Sequence, residues 1–107
     1  MEYKFVKIAV FIPSSHADDI RKVLNEAGAG CLEQYDNCSF STKGTGRFRG
    51  LEGSNPFIGE AGKIEQVEED KIEVICPFEK YEQVIEAVKK AHPYEEPAID
   101  IYPLLNK

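Results

Sequence analysis

Along "YKFVKIAVFIP" (residues 3–13), Val6, Ile8, Val10 and Ile12 alternate onto one side of an extended chain. Phe5, Ala9 and Phe11 fall on the other side, interrupted only by Lys7. Side chains of a strand point alternately to opposite faces, so the segment reads as a β-strand with one face in a core. Its second face is too apolar to be left in water on a monomer. Any fold for this chain must cover one side of the strand with its own elements and offer the other side to a partner.

The covering elements are visible further on. "SSHADDIRKVLNEAGAG" predicts a helix with Ile20, Val23, Leu24 and Ala27 as its apolar stripe. A Ser15–Asp18 capping box opens it, Asp18 and Asp19 suit its positive N-terminal end, and Gly28 closes it. "PFEKYEQVIEAVKKAH" predicts a second helix with Tyr81, Val84, Ile85 and Val88 inward and Lys89 and Lys90 late. Pro93 disfavours a helical His92, so this helix ends near Ala91. "CLEQYDNCSFS" predicts a second strand, "KIEQVEEDKIEVICP" one long strand or a pair bent near Glu69 and Asp70, and "PAIDIYPLL" the last strand. Between the second and third strands, Lys43 to Gly62 reads as a long loop; the segment around it holds six of the chain's eight glycines. A loop of that length in a compact domain usually has a job or is mobile. The order is βαββαβ, which predicts an α+β, ferredoxin-like sandwich with both helices on one face of an antiparallel sheet. The whole chain, 1–107, is expected to be a single domain. The helix-free sheet face predicts a homo-oligomer, here a trimer packed through Phe5, Ala9 and Phe11.

Composition excludes several classes of function. A formal net charge of -6 with no concentration of Lys and Arg argues against a nucleic-acid partner, because phosphate neutralisation needs a basic face. The apolar run from Ile8 to Ile12 is far short of the ~20 residues that span a bilayer. An acid at position 2 and no small-residue cleavage site argue against a signal peptide. Cys31, Cys38 and Cys76 follow none of the close-paired zinc spacings; they read as free thiols behaving as small buried hydrophobes in a reducing cytoplasm.

Two stretches carry candidate chemistry. "HPYEEP" stops a helix and starts an extended segment, and Tyr94 can pack its ring while its hydroxyl stays wet. The same residues offer an imidazole and two carboxylates, so His92, Glu95 and Glu96 are candidate ligands for a divalent metal ion. In the long loop, glycine amides at "GTGRF" can simply shape turns or can cradle an anion, with Lys43 or Arg47 adding charge. The P-loop pattern is absent, as is the dinucleotide fingerprint. His16 sits in the first turn of its helix, exposed. Cys38 is no ready nucleophile, since the two histidines are distant in sequence, and no hydrolase motif is present. The chain is therefore not expected to be an enzyme.

The segment "GAGCLEQYDNCSFSTKGTGRFRGLEGSNPFIGEAGKIEQVEE" followed by "HPYEEPAIDIYPL" resembles the central PII-like domain within some proteins of the NIF-three-like (dinuclear metal centre) family. "HPYE" with a proline two residues on resembles the end of the CutA proteins, which share the ferredoxin-like architecture. The resemblance implies a trimer whose long loop recognises a small molecule or a protein partner. Lys43, Gly44, Gly46, Arg47, Phe48 and Tyr94 are then the expected ligand-binding residues. In the larger proteins the two-metal site belongs to flanking domains, so their catalytic labels do not carry over. The expected function is a non-catalytic small-ligand-binding or regulatory interaction module; the alternative is a CutA-like divalent-metal-binding protein using His92 and nearby carboxylates.

Overall fold

The computed structural model describes residues 3–105. Strand β1 (Phe5–Pro13) leads through a 3₁₀ turn, Ser14–His16, into helix α1 (Ala17–Ala27). Strands β2 (Phe40–Arg49) and β3 (Ile64–Pro77) follow. A second 3₁₀ turn, Phe78–Lys80, opens helix α2 (Tyr81–Ala91), and strand β4 (Ile99–Leu104) ends the order. The sheet runs β2-β3-β1-β4 with every neighbouring pair antiparallel, which is the ferredoxin-like α+β topology.

The register explains the core. Val6, Ile8, Val10 and Ile12 lie opposite Cys76, Val74, Ile72 and Asp70. Even-numbered positions on both strands therefore share the helix-facing side, where Ile20, Leu24, Val84 and Val88 close over them. Each such fully buried side chain contributes about 1.5–3 kcal/mol of burial. The two halves enter their helices alike. Pro13 and Pro77 hold φ/ψ of -50/134° and -56/136°, and each hands the strand to a 3₁₀ turn. The halves leave their helices differently. Gly28 takes the left-handed cap at φ 116°, whereas His92 is extended ahead of Pro93.

Three expectations change. The second strand does not occupy 31–39. Those residues form a loop with a tight Leu32–Tyr35 bridge and positive φ at Glu33 and Asn37, and the strand is the glycine-containing Phe40–Arg49. Apolar alternation misleads here because β2 is an edge strand, exposed along most of its length and held by its ladder to β3 rather than by burial. Lys43, Gly44, Gly46, Arg47 and Phe48 are thus strand residues, and the long loop is 50–63. No capping box forms: Ser15 Oγ hydrogen-bonds His16 Nδ1 at 2.9 Å, and His16 caps α1 without a side-chain bond. Of the three thiols only Cys76 is buried, its pKa pushed up to about 11 by desolvation, while Cys31 is exposed. Glu2, used in the leader argument, lies outside the described residues.

Asp70 takes the last place in the apolar β3 row and is 2 % exposed. The Ser14 hydroxyl donates to it at 2.7 Å, and Lys43 and Arg21 each reach it at 2.9 Å. One carboxylate thus ties β2, α1 and the first turn to β3. Those donors, Ser14 foremost, outweigh burial and hold its pKa down from 3.8 to about 2. Asp70→Asn should lower unfolding free energy at pH 7 by about 2 kcal/mol in urea denaturation. Because folding depresses this pKa, the carboxylate's contribution is complete above about pH 4 and disappears as pH falls toward 2, so the two proteins should converge in acid.

Candidate functional site

Helix α2 cannot continue through Pro93, and the chain must cross to β4 on the far edge. His92 fastens that corner. Buried to 7 % exposure, it donates from Nε2 to the Phe11 carbonyl at 2.8 Å, while its Nδ1 accepts the Tyr94 N–H at 3.1 Å. A ring that donates at one nitrogen and accepts at the other is the neutral imidazole, and burial holds its pKa below the ordinary 6.5. Phe11 N–H bonds Ala98 O at 3.2 Å, so the corner satisfies both backbone groups of Phe11 just past the β1–β4 ladder.

Tyr94 then reaches across the helix-free face. Its hydroxyl donates to Glu69 Oε2 at 2.8 Å, and desolvation together with that carboxylate raises its pKa. Glu69 lies against Gly46 on β2, where an added Cβ would push the carboxylate out of its present position. Glu95 accepts the Asn55 N–H at 3.2 Å and draws the 50–63 loop onto the corner. Gly62 N–H to Gly50 O, 2.7 Å, closes the neck of that loop. Phe48 and Phe57 stand 5.9 and 6.5 Å from the Tyr94 ring, and His16 meets Phe57 edge-on at 5.4 Å.

These contacts enclose a cavity of about 500 Å³ between the overhanging β2–β3 ribbon, the loop and the corner. That volume lies in the range of small-molecule sites, roughly 300–1,000 Å³. Gly46, Arg47, Phe48, Tyr94, Glu95 and Glu96 all border it, so two stretches far apart in sequence meet at one place. Lys43 and Gly44 do not border it, and Lys43 is committed to Asp70. Arg47 borders it from an exposed position between covered Gly46 and Phe48, so its side chain leaves by the opposite face of the ribbon. Phe11, Leu51, Phe57 and Glu69 also form the walls and were missed. Taking β3 as one strand back to Ile64 would have put Glu69 on the Phe11 side by alternation alone.

His92, Glu95 and Glu96 do not fit a metal-ligand set. Both imidazole nitrogens are engaged, Glu95 turns to Asn55, and among the described residues no group of three or more His, Cys, Asp or Glu could hold a metal ion. Cys38 donates to the Asp36 carbonyl at 3.7 Å, so its thiol points to backbone. No helix among the described residues is long and apolar enough to cross a membrane.

No family model matches the chain. A GTP cyclohydrolase 1 type 2 homolog of Halalkalibacterium halodurans is 50 % identical over 101 residues, 94 % of this chain but 27 % of that protein. The crystal structure of a Bacillus cereus protein related to NIF3 superposes with a TM-score of 0.82 at 45 % identity, over 97 % of this chain and 26 % of that one. The periplasmic divalent cation tolerance protein CutA of Archaeoglobus fulgidus gives a TM-score of 0.69 at 26 % identity, over 96 % and 86 % of the two chains. The chain is thus related to NIF3-type proteins, spans about a quarter of their length, and shares the CutA fold.

Since folding favours neutral His92, the unfolded chain binds more protons below pH 6.5, and stability should fall as pH drops through that value. The melting temperature should be lower at pH 5 than at pH 7.5, and His92→Gln should flatten part of that difference. Gly46→Ala should displace Glu69 and broaden the backbone amide signals of Tyr94 in a ¹H–¹⁵N spectrum, with the α1 amides unmoved.

Proposed function

We propose that the chain is a non-catalytic small-ligand-binding or regulatory interaction module of the PII-like type, working as a homo-trimer, with the 500 Å³ cavity as its recognition site. One observation carries the reading. The ribbon, the loop and the corner are joined by Tyr94–Glu69 and Glu95–Asn55 around a concave, largely aromatic space that packing alone does not require. Ligand-binding residues on this reading are Gly46, Phe48 and Tyr94, joined by Phe11, Phe57 and Glu69.

Association is supported by the helix-free face. Phe5 and Phe11 are half-buried there, and Phe40 and Tyr102 are 70 % and 46 % exposed. Lys7, Lys71, Glu73 and Asp100 share that face, so it is mixed rather than purely apolar. The relatives' cyclohydrolase name is not extended to this module. Three free thiols fit a reducing compartment such as the cytoplasm. The alternative, a divalent-metal protein using His92, Glu95 and Glu96, is supported by the likeness to a divalent cation tolerance protein; it requires His92 to release Phe11.

Native mass spectrometry of protein purified without an affinity tag tests the reading. A trimer with a small-molecule adduct is the expected result. A bare monomer would remove the assembly, and a stoichiometric metal adduct would favour the alternative.

A further inference from the structure

The charge arrangement inside the cavity is one-sided. Glu69, Glu95 and Glu96 all line it. Glu69 spends Oε2 on the Tyr94 hydroxyl, and no hydrogen bond from a described residue reaches its Oε1. A carboxylate has about four acceptor positions, so Glu69 and Glu95 both keep unused capacity toward a donor.

The nearby cations do not offset them. Burial along the end of β2 alternates, with Gly46 and Phe48 covered and Arg47 and Arg49 exposed. The Cβ atoms of both arginines therefore point toward the opposite face of the ribbon. Lys71 shares the sheet face but does not border the cavity; its ammonium lies 5.7 Å from the centre of the Phe11 ring. His16 meets Phe57 edge-on and does not border the cavity, and His92 lies behind Tyr94 in its neutral form.

The aromatic part of the wall is Phe11, Phe48, Phe57 and Tyr94. Aromatic faces carry negative charge density and attract cations, most strongly where water is displaced. An anion in this space would meet three carboxylates and ring faces of the same sign. A bare divalent ion would lack the converging donors it needs.

We propose that the cavity takes an organic cation, an amine or guanidinium carried on an apolar or aromatic body. Its charge would pair with Glu69, Glu95 and Glu96, and its body would pack among Phe48, Phe57 and Tyr94. The inference rests on the cavity being a ligand site. The same chemistry arrives either as a free amine or as a Lys or Arg side chain of a protein partner.

Titration of the full ¹⁵N-labelled chain tests it, with tyramine, its neutral analogue tyrosol and its anionic analogue 4-hydroxyphenylacetate as probes. Tyramine should shift the amides of residues 46–57, 69 and 94–96 and bind at least tenfold more tightly than the acid. Glu69→Gln should weaken tyramine severalfold, and Glu96→Gln, whose carboxylate makes no hydrogen bond among the described residues, should do so without risk to the fold. Equal or tighter binding of 4-hydroxyphenylacetate at these residues overturns the cation inference and leaves the ligand-site reading standing. No shift at these residues with any probe overturns both. If Nα-acetyl-arginine amide outcompetes tyramine, the cation is a partner's side chain; the reverse order assigns a free amine.

Discussion

The hydrogen bond from the His92 ring to the Phe11 carbonyl fixes where the second half of the chain goes after its helix. Pro93 forbids further helix, and β4 pairs β1 only from Phe5 to Val10. Between these constraints the corner must satisfy the β4-facing backbone of Phe11, which has no partner in β4, and a buried neutral imidazole helps do so. The same ring accepts the Tyr94 N–H, which orients Tyr94 toward Glu69. Glu95, one residue on, captures Asn55 and with it the 50–63 loop. The cavity is thus a consequence of how a helix was ended.

The fold repeats a strand, a proline-initiated turn and a helix, but the repeat breaks where the site forms. Gly28 returns the first half through a left-handed cap into the 31–39 loop. The second half has no such glycine and uses His92 and Pro93 instead. β3 is longer than β1 needs, and its first residues pair only with β2. That overhanging ribbon, carrying Phe48, supplies the wall the corner faces. Asp70 sits where the overhang leaves the core, and its three donors hold the edge strand to the body.

Much of this was legible in residue pattern. Val6, Ile8, Val10 and Ile12 announced β1 because one face is wholly buried, and Tyr81 to Val88 announced α2 by its stripe. Pro93 marked the helix end to the residue. β2 was displaced because nothing in "FSTKGTGRFR" alternates: its place is set by pairing with β3, which is not local. Asp70 reads in sequence as one more acid among nineteen, and only the register shows it in a core row. His92 was noticed for its chemistry, but its partner lies 81 residues away, so spacing alone favoured the structural role without closing the ligand one.

The relatives at 50 % and 45 % identity are about four times longer, and whatever this module contributes must be carried by its own surface. The claim on which that contribution rests is that Tyr94 and Glu69 join the corner to the ribbon. A double-mutant cycle of Tyr94→Phe and Glu69→Gln, read by urea denaturation at pH 7, measures that link directly. The account predicts a coupling of about 1 kcal/mol or more. Strictly additive effects would contradict it and leave the cavity as two surfaces that merely lie side by side.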